Sequence, residues 1–220
     1  MMSSHSLHHI QDRAAALARG KWLEYFTVGW NLLEGIASVL AGLWSGSVAL
    51  VGFGMDSFIE VASGTVMLWR MSVDGDPETR KRHDHRALQL VGVCFLGLAA
   101  YLVFRSMDNL IERRAPEHSL PGIIIAALSL VVMPILSHAK TKVAVQIGSS
   151  AMKADARQTD FCTYLSAILL GGLLLNAVLG WWWADPVVAL IMAPVIASEG
   201  LDGIRGKVCC NEHPQAGGAE

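Results

Sequence analysis

The sequence predicts an all-α, polytopic membrane protein with six transmembrane helices and both termini on the cytoplasmic side. Hydrophobic residues make up 53% of the 220 residues and charged residues only 16%, and the mean hydropathy of +0.42 is high for a water-soluble protein. Apolar stretches of membrane-spanning length alternate with short polar segments. Six such stretches fill the chain, so a large soluble domain is not expected.

The six predicted spans follow one another through short polar connections. They cover residues 22–44, 48–69, 88–111, 122–136, 156–179 and 186–198. The turn Ser45-Gly46-Ser47 makes a tight hairpin of the first two spans. The fourth span is short, and the prolines inside the fourth and sixth spans, Pro134 and Pro194, are expected to kink their helices.

Basic residues determine the predicted orientation. Of the 17 lysines and arginines, all but three fall on one side of the predicted bundle. Because positively charged segments stay in the cytoplasm, we expect the N-terminal segment (1–20) and the short tail (206–220) there, on either side of the membrane domain (21–205). The tryptophans at 181–183 then lie at the outer interface. The expected location is a bacterial inner (plasma) membrane.

Two carboxylates, Asp56 and Glu60, lie four residues apart in the second span and therefore share one face of a helix. At about 1.5 Å per residue, Asp56 is roughly 14 Å below the hairpin turn, close to the middle of a hydrocarbon core about 30 Å thick. One carboxylate there costs at least about 2.5–3.5 kcal/mol, and the two repel each other. The predicted spans hold no basic residue at that depth, which favours a bound metal ion or protons over an ion pair.

The first span carries three polar residues at helical spacing, Glu24, Asn31 and Glu34. Because the hairpin is tight, Asn31 and Glu34 reach about the same depth as the acidic pair. They are predicted either to form hydrogen bonds between helices or to assist the cation site. Glu24 is expected near the cytoplasmic headgroups.

The fifth span has a polar face that starts at its cytoplasmic end. Asp155, Gln158, Thr159 and Cys162 follow one another at steps of three and four, whereas Asp160 lies about 160° from Cys162 around a helix. Such a face serves packing or metal binding, and its pairing with the acids of the second span favours the metal. We predict Gln158, Cys162 and Asp155 as ligands, with Thr159 and Asp160 as further polar candidates.

Other polar residues give weaker indications. Arg105 and Asp108 are three residues apart and form either a simple ion pair or part of an outer vestibule. Asp185 is expected to cap the sixth span. The charged loop 74–86 is expected to be solvated, and transient metal capture by the segment 209–213, Cys-Cys-Asn-Glu-His, is a hypothesis.

Four stretches of the chain resemble the cation diffusion facilitator family, over about residues 22–203. They are SGSVALVGFGMDSFIEVASG at the second span, APEHSLPGIIIAALSLVVM at the fourth, ADARQTDFCTYLS at the fifth, and WADP before the sixth. The resemblance implies proton-coupled export of divalent metals by a six-helix membrane domain, and a homodimer. The C-terminal cytoplasmic domain of typical members is expected to be absent, because the tail is short.

The resemblance also implies a ligand set of two residues from the second span and two from the fifth. Asp56 and Glu60 match the first pair. Aligned on Ala154-Asp155, the fifth-span positions hold Gln158 and Cys162, where the family usually has a His or Asp followed by an Asp. This departure leaves the identity of the metal and the four-ligand geometry open.

Together these observations predict a metal/proton antiporter, not an enzyme, that exports a divalent cation from the cytosol. The expected substrates are zinc, cobalt, iron or manganese and protons; membrane lipid surrounds the chain, and neither a prosthetic group nor nucleic acid is expected. The alternative is a non-transporting membrane metal sensor or accessory subunit. An intramembrane hydrolase is disfavoured because the spans hold no His-Glu-x-x-His or Ser-centred motif and no obvious base except His138 at a span end.

Overall fold

The fold is a bundle of six α-helices, seen in a computed structural model that describes residues 4–72 and 77–205. The helices are α1 (Ser4–Ser45), α2 (Val48–Ser72), α3 (Pro77–Glu112), α4 (Leu120–Ile147), α5 (Ser150–Leu179) and α6 (Ala184–Arg205). No β-strand occurs within these two described ranges. An all-helical chain satisfies its backbone hydrogen bonds internally, which is what a hydrocarbon environment requires.

Each helix contains a stretch long and apolar enough to cross a membrane. These stretches are residues 15–45, 48–68, 89–112, 120–147, 155–179 and 184–205. The predicted six-span, all-α membrane fold is thereby confirmed.

The predicted bounds of the fourth and sixth spans were too short. Helix α4 continues through Pro134 to Ile147 instead of stopping at Leu136, and α6 continues to Arg205 instead of stopping at Ser198. The prediction ended the fourth span where polar residues begin. In the structure, the polar residues Ser137 and Lys140 are buried against neighbouring helices, so the helix continues beyond its apolar part.

Helices pack mainly as the pairs α1–α2, α3–α6 and α4–α5, and α1 also contacts α4. Two of these crossings bring glycines face to face. A Cβ atom built on Gly54 of α2 would lie 2.9 Å from the carbonyl oxygen of Gly35 in α1, and one on Gly92 of α3 would lie 2.6 Å from that of Gly200 in α6. Glycines therefore allow the backbones of paired helices to approach closely.

Asp185 joins the beginnings of α2 and α6. Its carboxylate accepts hydrogen bonds from the Ser47 hydroxyl and from the backbone N–H of Val48, the latter at 2.9 Å. The prediction that Asp185 caps the sixth helix was wrong, since it lies inside the first turn of α6 and satisfies an otherwise unpaired amide at the start of α2. Because the first turns of α2 and α6 lie side by side, these two helices start at the same surface of the bundle.

Candidate metal site

Two carboxylates and a thiol meet between α2 and α5. One ligand atom from each of Asp56, Glu60 and Cys162 lies within 4.8 Å of the others, and we call these three residues the acid–thiol cluster. Asp56 is 4% exposed, Glu60 7% and Cys162 0%. Asp56 and Glu60 are one helical turn apart in α2, and Cys162 comes from α5. The site therefore depends on the contact between these two helices, which belong to different pairs.

The acid–thiol cluster has the chemistry of a cation site. Ligand atoms around a tetrahedral zinc ion lie about 2.0–2.3 Å from the metal, so two of its ligand atoms lie within about 4 Å of each other, close to the 4.8 Å limit that holds for this cluster. Two carboxylates at this depth are costly unless a cation or protons neutralise them. Burial of all three donors therefore favours the binding of a positive species over an empty, ionised site.

Asn31 of α1 is hydrogen-bonded to the acid–thiol cluster, and Glu34 of α1 is hydrogen-bonded to Ser57, the residue next to Asp56. The Asn31 side-chain amide donates to Glu60 Oε2 at 2.6 Å, and the Ser57 hydroxyl lies 3.1 Å from Glu34 Oε2. The amide oxygen of Asn31 (Oδ1) and the other carboxylate oxygen of Glu34 (Oε1) are buried without a hydrogen-bond partner among the described residues. Of the two roles left open by the sequence, hydrogen bonding between helices is therefore present for both residues.

Gln158 lies beside the acid–thiol cluster and shares a small cavity with Asp56 and Glu60. Its Oε1 accepts a hydrogen bond from the Ser63 hydroxyl at 3.1 Å. Its Nε2 is buried and has no hydrogen-bond partner within the described ranges. Because the amide oxygen is held by α2, Gln158 lines the space next to the cluster.

Asp155 forms an ion pair with Lys140, a residue that lies outside the spans predicted from the sequence. Lys140 of α4 is 0% exposed, and its ammonium lies 2.5 Å from Asp155 Oδ2 and 3.2 Å from Glu24 Oε2. We call Glu24, Lys140 and Asp155 the lysine triad. Thr159 is its neighbour, with its hydroxyl 3.5 Å from the ammonium. The carboxylate of Asp155 is thus held by an ion pair and is not one of the acid–thiol cluster.

The lysine triad adds two features that the sequence did not predict. Glu24 is fully buried by protein, and Lys140 lies in α4 beyond the predicted end of the fourth span and is fully buried as well. The reason is the same for both residues: each charge finds its partner on another helix, which makes burial tolerable.

The remaining candidates lie apart from the acid–thiol cluster. Asp160 is exposed, on the side of α5 away from the cluster. Arg105 and Asp108 form an ion pair of 3.1 Å, the simpler of their two predicted roles. The hypotheses about the charged loop 74–86 and the 209–213 segment concern side chains outside those the structure describes.

The chain belongs to the family described as the cation efflux transmembrane domain, whose match covers residues 26–208. This places it among membrane transporters and not among enzymes. It is similar to the cation-efflux pump FieF of Shewanella oneidensis, with 24% identity over 173 residues that cover 74% of this chain and 57% of that protein.

Two other relatives show a similar degree of likeness. Transmembrane protein 163 of Xenopus laevis is 23% identical over 185 residues, which cover 82% of this chain and 64% of the relative. The uncharacterized transporter MJ0449 of Methanocaldococcus jannaschii is 24% identical over 178 residues, which cover 78% of this chain and 62% of the relative. The chain thus spans somewhat over half the length of these three proteins.

Proposed function

We propose that this chain carries a divalent metal cation across the membrane in exchange for protons, with the cation held by the acid–thiol cluster. The observation that carries the proposal is the meeting of Asp56, Glu60 and Cys162 in a buried position between two membrane-spanning helices. Membership of the cation efflux family supports the same function.

The donor set favours borderline divalent cations. Carboxylate oxygens suit hard ions such as manganese, whereas a thiolate adds preference for softer ions such as zinc. Zinc and cobalt are therefore the first substrates to test, followed by iron(II) and manganese. Gln158 contributes a polar wall next to the cation, because its side chain lines the same cavity as Asp56 and Glu60.

Protons are the natural counter-substrate of this site. A carboxyl group in the membrane interior is tolerated when it is either bound to a cation or protonated. Binding a metal to Asp56 and Glu60 displaces their protons, and release of the metal allows the protons to return. Metal and protons thus compete for the same oxygens, which is the chemical basis of antiport.

Alternating access would expose this site first to one side and then to the other, as helix pairs rock around a site near the midplane. The cluster lies between α2 and α5, which belong to different helix pairs. Relative movement of the α1–α2 and α4–α5 pairs would therefore open and close it. We also propose that the chain exports the cation from the cytosol, lies in a bacterial inner membrane and forms a homodimer. Cross-linking in native membranes tests the dimer.

Transport in proteoliposomes tests the proposal directly. Purified full-length chain is reconstituted, and uptake of zinc, cobalt, iron(II) and manganese is followed with an imposed pH gradient. Asp56→Asn should abolish uptake, whereas Asp160→Asn, which removes an exposed acid from α5, should retain it. Uptake by Asp56→Asn at the rate of the unmodified chain would contradict the proposal. Binding without flux in the unmodified chain would instead favour the sensor or accessory subunit.

A further inference from the structure

A cavity extends from the acid–thiol cluster to α6. One part of its wall is formed by Asp56, Glu60 and Gln158, and another by three residues of α6: Val195, Ile196 and Glu199. The α6 residues follow one another at helical spacing, so one face of that helix closes the cavity. A third helix thereby brings a carboxylate, Glu199, to the same space as the two acids of α2.

Glu199 lies deeper along the bundle than Glu60, when depth is measured from the surface where α2 and α6 both start. Asp185 of α6 accepts a hydrogen bond from the N–H of Val48, which aligns the two starts. At about 1.5 Å per residue, Glu60 is about 18 Å from Val48 and Glu199 about 21 Å from Asp185. Glu199 is therefore displaced toward the Arg205 end, which the basic residues predict to be cytoplasmic.

The exposed fraction of the three carboxylates decreases along the cavity from Glu199 to Glu60 to Asp56. Glu199 is half-buried, whereas Glu60 is 7% and Asp56 4% exposed. No hydrogen bond or ion pair joins the Asp56 carboxylate to another residue of the described ranges, so it is a buried, unpartnered acceptor that faces the cavity. A cation in the cavity would meet the half-buried acid before this deeply buried one.

We propose that Glu199 is the access carboxylate of the site: it binds a divalent cation transiently at the Arg205 end of the cavity and passes it to Asp56 and Glu60. The proposal rests on the function proposed above and extends the site to α6. Asp202 and Arg157 are charged neighbours of Glu199, and the Asp56 carboxylate also interacts with it electrostatically. Because Asp202 and Arg157 carry opposite charges, the attraction on a cation comes mainly from Glu199 and Asp56, which line the same cavity.

The rate of cation association is the property that this role predicts. A single negative charge near the path of a divalent cation raises its local concentration, and salt screens that effect. Glu199→Gln should slow association about three- to tenfold at low ionic strength, with the deficit shrinking as salt is added. The dissociation rate should change little, because the acid–thiol cluster is intact.

Stopped-flow mixing of the full chain in detergent with cobalt(II) measures this rate, since thiolate ligation by Cys162 gives an optical signal. Asp160→Asn is the matched control, because it removes one exposed acid from α5 without touching the cavity. Glu199→Gln should be slow and salt-sensitive, and Asp160→Asn should match the unmodified chain. Equal association rates for both variants, or a deficit of Glu199→Gln that is the same at every salt concentration, would overturn the proposal.

Transport measurements separate this inference from the function on which it rests. In proteoliposomes, Glu199→Gln should lower cobalt uptake at low cobalt and approach the normal rate at saturating cobalt. If the unmodified chain binds cobalt but moves none, transport is contradicted while the association rates still decide the role of Glu199. If the unmodified chain transports cobalt and Glu199→Gln does so equally well at low cobalt, only the access role is contradicted.

Discussion

At the scale of single residues, the three donors of the acid–thiol cluster differ in hardness. Asp56 and Glu60 offer oxygen, and Cys162 offers sulfur from the opposite helix. A thiolate raises the affinity for zinc and cobalt more than that for manganese. The cysteine is therefore the residue that should decide which metals the site prefers.

We expect Cys162→Ser to weaken cobalt and zinc binding by at least about tenfold, the lower end of the loss caused even by outer-shell changes at metal sites. Manganese binding should change less, because an oxygen replaces sulfur. Absorption of the cobalt complex and competition between metals measure both effects. Cys94→Ser is the control, since Cys94 is an exposed cysteine of α3. Loss of the cobalt–thiolate absorption in Cys94→Ser, with retention in Cys162→Ser, would contradict the assignment.

Lys140 should matter to stability more than to metal choice. Lys140→Met leaves the buried carboxylates of Glu24 and Asp155 without their cationic partner. Removing one partner of a buried ion pair lowers the free energy of unfolding by about 3–5 kcal/mol. Thermal unfolding in detergent should show a large loss, with partial recovery when Glu24→Gln is added because one stranded charge disappears.

The matched control for that experiment is Lys142→Met, which removes an exposed lysine two residues further along α4. It should leave the unfolding temperature close to that of the unmodified chain. Equal stability of the two lysine variants would contradict the structural role assigned to the lysine triad.

Residue patterns in the sequence predicted part of this chemistry. Spacing placed Asp56 and Glu60 on one face, and helical geometry chose Cys162 over Asp160, because both are local properties of one helix. The lysine triad could not be predicted in the same way. Its partners come from α1, α4 and α5, and their meeting depends on where α4 ends and on how three helices pack.

At the scale of helices, glycine contacts determine how closely the pairs approach. Gly92 of α3 and Gly200 of α6 face each other, and Gly200 directly follows Glu199. The close crossing of these two helices therefore fixes the position of the helix that carries the proposed access carboxylate.

Gly92→Ala should separate α3 from α6 and destabilise the bundle by about 1–3 kcal/mol, the usual cost of overpacking. The added Cβ atom would lie 2.6 Å from the Gly200 carbonyl oxygen and 2.9 Å from the Ile204 nitrogen, neither of which can rotate away. Gly97→Ala on the same helix is the control, because nothing lies within 4 Å of its added Cβ. A smaller loss of thermal stability for Gly92→Ala than for Gly97→Ala would contradict this packing.

The number and type of helices followed from hydropathy, but their ends did not. Apolar composition identifies the part of a helix that faces lipid, whereas the last part of α4 carries polar residues, among them Lys140, that are buried against neighbouring helices. Similarly, the cap formed by Asp185 serves a different helix from the one expected, because the two helix starts are neighbours in space and distant in sequence.

At the scale of the whole molecule, six spans return the chain to the side of the membrane on which the first span starts. We propose, from the distribution of basic residues, that this side is the cytoplasmic one. Consequently the turn between α3 and α4 should face outward and the turn between α4 and α5 inward.

Labelling of single cysteines in intact cells checks this orientation. Glu117→Cys lies in the α3–α4 turn and Lys153→Cys lies near the start of α5, and both positions are exposed. A membrane-impermeant maleimide should label Glu117→Cys in intact cells and Lys153→Cys only after lysis. The opposite pattern would reverse the proposed direction of transport.

Coupled flux is the most direct test of the central claim that one buried site exchanges a metal for protons. Zinc uptake and internal pH are recorded together in proteoliposomes that contain the full chain. We predict that inward zinc movement drives protons outward, that an imposed proton gradient drives zinc in the opposite direction, and that Asp56→Asn abolishes both. Zinc uptake without proton movement, or uptake that persists in Asp56→Asn, would contradict the account.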